Sequence, residues 1–181
     1  MKQVIGIIRK PVLSKLLITV IWLAFLSLFR LAFDWSVLFL WLGGIVGTFL
    51  IEADQLVYVY TQRPEDPVSV EVRGLIGQKK WAEAATLILS TAKDRRQLVF
   101  HSVIFQVLFQ IFSFFVITST GSYFGIGLVL AMSLHLLVKE MKDPDMFFWQ
   151  IKADINRENR KTYLVCISLF FIFLNYLVIR F

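Results

Sequence analysis

The chain has 181 residues and a formal net charge of +6, and 57% of its residues are hydrophobic while only 18% are charged. Soluble domains average about 45–50% apolar and about 25% charged residues, so this composition excludes a soluble globule and a disordered chain. The single cysteine, Cys166, also excludes a disulfide framework and a zinc module built on cysteines. We therefore predict an all-α, polytopic integral membrane protein, a helical bundle that forms a single membrane domain over residues 1–181.

Five apolar stretches approach the roughly 20 helical residues that cross the hydrocarbon core of a bilayer. They cover approximately residues 16–33, 37–58, 98–117, 123–138 and 163–179. Seventeen of the nineteen Lys and Arg residues fall in the alternate flanking segments 1–15, 59–97 and 139–161. Because basic residues stay on the cytoplasmic side, this alternation predicts about five transmembrane helices in a cytoplasmic (plasma) membrane. The same rule predicts a cytoplasmic N-terminus and an extracytoplasmic C-terminus.

Small residues mark two of the predicted spans. Gly43 and Gly47 form a G-x-x-x-G pattern in the second span, and Gly121 and Gly125 begin a similar series in the fourth. Such faces let helix backbones approach closely, which is how membrane helices associate without a hydrophobic driving force. We predict that these four glycines pack helices together, within the bundle or in a homo-oligomer.

The first large loop predicts a cytoplasmic helical hairpin over residues 66–96. Asp66 and Pro67 form a helix start, with a capping carboxylate and a proline at the first helical position. Gly74 and Gly77 then weaken the helix, and the residues from Lys79 onward place their apolar side chains at the spacing of one helical stripe.

The second large loop predicts an amphipathic cytoplasmic segment over residues 143–161. Asp143 and Pro144 supply its start, and Phe147, Phe148 and Trp149 form an aromatic patch behind them. Aromatic side chains suit the headgroup depth of a bilayer. The alternative is a docking surface for a partner protein, so both lipid and partner contact remain open for this patch.

Polar residues recur along one face of the predicted third span. Ser102, Gln106, Gln110 and Ser113 follow one another at steps of four, four and three, which places them on the same helix face. An amide in lipid needs partners, so this face should point into the bundle. It either hydrogen-bonds to other helices or lines a path for a polar substrate or ion. Asn175 in the last span is predicted to form a hydrogen bond within the bundle.

Four ionisable residues from three spans fall at one level of the predicted cytoplasmic leaflet: Glu52, Asp54, His101 and His135. Carboxylates and imidazoles at one depth can form a proton relay, a cation path or a zinc-type site. Alternatively, water reaches them and Glu52 pairs with Lys15 or with loop arginines. These interpretations remain open, and no metal ion is assigned.

No catalytic motif is present. The sequence contains no H-E-x-x-H zinc motif, no G-x-S-x-G nucleophile elbow and no phosphate-binding glycine loop. An enzyme is therefore not favoured, no catalytic residue is assigned and no cofactor is expected. Acidic residues are interspersed with the basic ones in both large loops, which also argues against nucleic acid as a partner.

The pattern as a whole favours a small integral membrane subunit or scaffold. It would act through contacts with lipids, a membrane-protein partner or a homo-oligomer at the cytoplasmic face. The alternative is a small transporter or channel for protons or cations, which would use Glu52, Asp54, His101 and His135 together with the face of Gln106 and Gln110.

Overall fold

The computed structural model describes residues 2–30, 34–92, 95, 98–151 and 156–180, and every regular element in these ranges is helical. The helices are α1 (Lys2–Arg30), α2 (Trp35–Leu50), α3 (Ala53–Val57), α4 (Pro67–Gly77), α5 (Trp81–Ser90), α6 (Val103–Ser119), α7 (Tyr123–Lys142) and α8 (Arg157–Arg180). A π-helical turn at Tyr58–Gln62 follows α3, and a 3-10 turn at Pro144–Met146 follows α7. Parts of three predicted segments lie outside the described residues. These are residues 31–33 at the end of the first span, 93–94 and 96–97 at the end of the hairpin, and 152–155 within the amphipathic segment.

Four helical runs are long and apolar enough to cross a membrane. They cover Val12–Arg30, Trp35–Gln62, Tyr123–Lys142 and Arg157–Arg180. The predicted third span is shorter than expected, because α6 begins at Val103 and not at residue 98. Ser102 is in extended conformation and its hydroxyl caps the helix by accepting the N–H of Phe105 at 3.2 Å. His101 therefore precedes the helix, where the sequence predicted it three residues inside.

Helices α2 and α7 form the most extensive helix contact of the described chain, and glycines make it possible. A Cβ atom at Gly43 would lie 2.0 Å from the carbonyl oxygen of Phe124, and one at Gly47 would lie 2.3 Å from that of Leu128. From the other side, a Cβ atom at Gly127 would lie 2.1 Å from the carbonyl oxygen of Leu40. The two backbones thus touch directly, which only glycine permits.

The two glycines predicted at the start of the fourth span differ from each other. Gly125 faces α6, where an added Cβ would meet the Val116 side chain at 3.3 Å. Gly121 has a φ of +61° and no atom within 4 Å of an added Cβ. It is a turn residue between α6 and α7 and does not pack helices, because the reversal there needs a left-handed backbone.

The predicted hairpin forms two helices. Asp66 caps α4 by accepting the N–H of Val68 at 2.9 Å, and Pro67 is the first helical residue, so the predicted helix start is confirmed. The helices α4 and α5 pack their apolar stripes together around Val72 and Ala84. Buried residues of the neighbouring elements, Tyr58 and Leu98, complete this cluster and attach the hairpin to the bundle.

The predicted amphipathic helix over residues 143–161 does not form in the described residues. A single 3-10 turn at Pro144–Met146 leads into further turns, and the next helix starts only at Arg157. Phe147 is fully buried and Phe148 nearly so, in a cluster with Leu136. The segment folds back onto the bundle, so these two rings fill its interior and cannot be a surface for lipid or a partner.

Candidate functional site

An interruption between α2 and α3 places two carboxylates at one end of the bundle. The helix α2 ends at Leu50, and Glu52 and Asp54 lie at the start of the short α3, where the sequence predicted one continuous span. His101, just before α6, and Lys139, in the last turn of α7, approach the same point. Three separate chain segments thus converge, and we call this the network end of the bundle.

Asp54 and His101 form a fully buried pair. The Oδ2 atom of Asp54 lies 2.9 Å from Nδ1 of His101, and both side chains are 0% exposed. The same oxygen accepts the backbone N–H groups of Phe100 at 2.7 Å and His101 at 3.3 Å. Backbone N–H groups can only donate, so this oxygen acts as an acceptor and the Nδ1 atom of His101 carries the proton of their hydrogen bond.

Lys139 contacts the other side of the same imidazole. Its Nζ atom lies 2.7 Å from Nε2 of His101 and 3.0 Å from Oε1 of Glu52, and Lys15 also pairs with Glu52. An ammonium group can only donate, so Nε2 accepts and the imidazole is neutral. Lys15, Glu52, Lys139, His101 and Asp54 form one continuous chain of polar contacts, which we call the charge network.

The electrostatics of His101 agree with this assignment. Burial holds the pKa of its imidazole below the usual value of 6.5, because an imidazolium would lose its hydration. The hydrogen bond that His101 donates to Asp54 opposes this shift, and the positive charge of Lys139 reinforces it. His101 is therefore poised as a neutral group between an anion and a cation.

His135 was predicted at the same level but does not join the charge network. Its Nε2 atom lies 2.8 Å from Oγ1 of Thr19, which in turn lies 2.7 Å from Oγ1 of Thr48. These three side chains form a separate buried contact among α1, α2 and α7. The structure thus brings together Glu52, Asp54 and His101 and leaves His135 apart.

A second polar cluster joins α6, α7 and α8. The hydroxyl of Tyr163 donates to Oε1 of Gln106 at 2.8 Å, and Nε2 of Gln106 donates to Oε2 of Glu140 at 3.0 Å. We call these three residues the carboxyl–amide cluster. Gln110, one turn further along α6, is buried, and neither atom of its amide has a hydrogen-bond partner among the described residues. Of the two predicted glutamines, one therefore makes the expected interhelical bonds and the other makes none.

Residues of the 143–151 segment cover both polar groups. The ring of Phe147 stands edge-on to His101 with centroids 5.8 Å apart, and that of Phe148 stands edge-on to Tyr163 at 5.6 Å. The segment is fixed by two hydrogen bonds, from the N–H of Val103 to the Phe147 carbonyl and from the Trp149 indole to the Leu98 carbonyl. Phe147, Phe148 and Trp149 thus form an aromatic cover over the network end.

Two central residues were missed from the sequence. Lys139 and Glu140 were counted only as charges of the second large loop. Their spacing could have indicated this role. Lys139 follows His135 by four positions and Glu140 follows Ser133 by seven, so each shares a face of α7 with a polar residue of the predicted span. Asn175 was predicted correctly, because its side chain accepts the Trp22 indole N–H at 2.9 Å.

The metal-site alternative finds no ligand set in the part of the chain that the structure describes. No group of three His, Cys, Asp or Glu side chains there is arranged to hold a metal ion. The second imidazole nitrogen of His101 is also occupied by Lys139. The chemistry that this arrangement can perform is the transfer of protons between neighbouring donors and acceptors.

Comparisons with known proteins do not add a relative. No family model, no curated protein and no solved structure matches the chain. A function must therefore be inferred from the geometry of the charge network and its surroundings.

Proposed function

We propose that the chain is an integral membrane protein with five transmembrane helices, whose network end lies in the cytoplasmic leaflet of a cytoplasmic membrane. Four apolar runs of sufficient length support this proposal, with the shorter α6 as the fifth. The distribution of Lys and Arg supports an orientation with a cytoplasmic N-terminus and an extracytoplasmic C-terminus. The α4–α5 hairpin would then lie on the cytoplasmic side.

Within this membrane domain we infer a role in proton handling, as a small transporter or channel. The observation that carries the inference is the unbroken donor–acceptor chain from Lys139 through His101 to Asp54. Ionisable groups inside a membrane protein are costly, and they commonly mark ion pathways and proton relays. Three of the four ionisable residues singled out from the sequence, Glu52, Asp54 and His101, belong to the charge network.

The chain of contacts permits a concerted proton shift. Lys139 would give a proton to Nε2 of His101 while Nδ1 of His101 gives its proton to Asp54. The lysine becomes a neutral amine, the aspartate becomes a neutral acid, and the imidazole exchanges one neutral tautomer for the other. No charged imidazolium has to form in the buried site, which removes the largest cost of moving a proton there.

The two ends of the charge network differ in their access to water. The side chains of Lys15, Glu52 and Lys139 are 23%, 27% and 25% exposed, while those of His101 and Asp54 are 0% exposed. Protons can therefore enter at Glu52 and Lys139. The Oδ1 atom of Asp54 is buried and has no partner in the described chain, which makes it the open end of the relay.

Proton flux into liposomes tests this function. The purified protein would be reconstituted with the dye pyranine inside the vesicles, and a potassium diffusion potential would be set with valinomycin. We expect flux above that of protein-free vesicles, and a decrease on the order of 100-fold in His101→Gln, the scale of a lost acid–base group.

His135→Gln is the matched control, because it makes the same substitution in a buried histidine outside the charge network. Its flux should stay near that of the unmodified protein. Flux equal to that of protein-free vesicles under potentials of both signs would refute proton handling, and so would equal flux from the two histidine variants.

A subunit or scaffold is a second candidate function, and the α4–α5 hairpin favours it. Trp81 and Val70 on this hairpin are 63% and 53% exposed, so an apolar surface faces outward there. Phe147 and Phe148 of the aromatic patch that first suggested a scaffold are buried, so these two rings support it no longer. The purification that precedes the flux assay also tests this function: a stoichiometric partner that is lost in Trp81→Ser would favour a subunit.

A further inference from the structure

Glu140 differs from Asp54, the other buried acid of the described chain, because its hydrogen bonds lead to no cation. Both Asp54 and Glu140 are almost completely buried. Asp54 receives two backbone N–H groups and the proton of His101, which itself contacts Lys139. Glu140 receives only the amide of Gln106, and no salt bridge reaches it from the described residues.

The partners of Glu140 cannot supply a positive charge. Tyr163 donates its hydroxyl proton to Oε1 of Gln106, so the amide is fixed with its NH₂ group toward Glu140. This arrangement delivers one neutral hydrogen bond to Oε2 of a carboxyl group that is 1% exposed. A lone carboxylate in such a place costs far more free energy than one hydrogen bond returns. The carboxyl group must therefore be neutralised by something that comes from outside the cluster.

Unpartnered polar groups continue from this cluster toward the middle of the bundle. Gln110 lies four residues beyond Gln106 on α6, and Ser133 lies seven residues before Glu140 on α7, so each shares a helix face with its cluster residue. Gln110 is 2% exposed and Ser133 is 0% exposed, and neither side-chain polar group has a hydrogen-bond partner in the described chain. Buried groups of this kind ordinarily bind water or an ion.

We propose that Glu140 reversibly binds a proton or a small monovalent cation, which reaches it along the polar line of Gln110 and Ser133. Both species share the required chemistry, a single positive charge that oxygen ligands accept. When a proton is bound, it resides on Oε1, while Oε2 continues to accept from Gln106. The site is separate from the charge network, since Lys139 and Glu140 are consecutive residues of α7 and point to different neighbours.

Dicyclohexylcarbodiimide provides the test, because this apolar reagent modifies protonated carboxyl groups in apolar surroundings. The carboxyl oxygen adds to the carbodiimide carbon, the carboxyl proton moves to a nitrogen, and the adduct rearranges to a stable N-acylurea. The full chain in detergent micelles would be labelled at several pH values, digested and analysed by mass spectrometry. We expect labelling at Glu140 that becomes faster as the pH falls.

Two controls make the result specific. Glu140→Gln should lose the labelled peptide, and Glu52, which pairs with Lys15 and Lys139, should remain unlabelled over the same time. Added NaCl at constant pH, compared with choline chloride, distinguishes the two sources of charge. Slower labelling in sodium identifies a cation site, and unchanged labelling identifies a proton site.

The proposal is overturned if Glu140 stays unlabelled at low pH, if its labelling does not depend on pH, or if Glu52 reacts as fast. This outcome is independent of the flux assay. His101→Gln probes the charge network, whereas labelling probes Glu140 alone, so either inference can fail while the other stands.

Discussion

His101 is a neutral imidazole between the carboxylate of Asp54 and the ammonium of Lys139, and this position has a consequence for stability. Protonation would place two positive groups 2.7 Å apart in a buried site. Burial, the interaction with Lys139 and the opposing carboxylates of Asp54 and Glu52 together leave the pKa of His101 lowered from 6.5. Between this lowered pKa and about 6.5, the unfolded chain binds a proton that the folded chain refuses.

We therefore predict that acid destabilises the protein through His101. The contribution of the neutral imidazole is complete above about pH 6.5 and declines as the pH falls, by up to about 1.4 kcal/mol per pH unit until the folded protein is also protonated. Thermal unfolding in detergent between about pH 7.5 and 5.5 measures this decline in stability. His101→Gln should flatten the decline in this range. An unchanged slope in the variant would show that other groups govern acid stability.

At the scale of the elements, the contact between α2 and α7 depends on the absence of side chains. An added Cβ at Gly47 would lie 2.3 Å from a backbone oxygen of α7, and a backbone cannot yield as a side chain does. We predict that Gly47→Ala destabilises the protein by on the order of 1–3 kcal/mol, the usual cost of overpacking.

Gly74→Ala is the control for this substitution. Gly74 lies inside α4, and nothing lies within 4 Å of an added Cβ, so alanine there should be neutral or stabilise by up to about 1 kcal/mol. Thermal unfolding of both variants, with helix content checked by circular dichroism, separates crowding from helix propensity. Equal stability of the two variants would mean that α2 and α7 tolerate a wider separation.

The elements that could be predicted from the sequence are those whose determinants are local. Asp66 and Pro67 start α4 as predicted because capping involves only neighbouring residues. The prediction that the aromatic patch faces lipid or a partner was wrong for Phe147 and Phe148. Phenylalanine side chains suit both a bilayer interface and a protein interior, and only tertiary packing decides between the two. The predicted start of the third span was wrong because the apolar run begins at residue 98, whereas the helix begins only after its capping residue, Ser102.

The candidate site was predictable in part for the same reason. Helical depth brought Glu52, Asp54 and His101 to one level, and the structure joins them through Lys139. The sequence could not show that a lysine would link them, because the link depends on which way α7 faces. Depth alone also suggested His135, which lies one turn before Lys139 on α7 but contacts Thr19 instead of the charge network.

For the whole molecule, the number of times that the chain crosses the membrane determines on which side of the membrane the C-terminus lies. The helix α6 has 17 residues, or about 25 Å at 1.5 Å per residue, slightly less than the roughly 30 Å of a bilayer core. We predict that it crosses nonetheless. If it did not, the six bases of residues 139–161 would lie outside, against the positive-inside rule.

Reporter fusions measure this arrangement. Green fluorescent protein after Gln78 should be fluorescent, and alkaline phosphatase after Thr120 and at the C-terminus should be active. The contacts among Asp54, His101 and Lys139 already require the end of α7 and the start of α6 to lie at the same end of the bundle. A cytoplasmic C-terminus would contradict the five-helix arrangement and leave α6 as a re-entrant segment.

The direct contact of the α2 and α7 backbones also determines which parts of the molecule can move. Because α2 and α7 are in backbone contact at Gly43, Gly47 and Gly127, we expect these two helices to move together as one rigid frame. Glu140 belongs to this frame, but its partners Gln106 and Tyr163 belong to α6 and α8. A swing of those two helices would detach Gln106 from Glu140 and leave the Glu52–Lys139 pair almost unchanged. Movement of α6 and α8 relative to this frame would thus expose and cover the carboxyl group of Glu140.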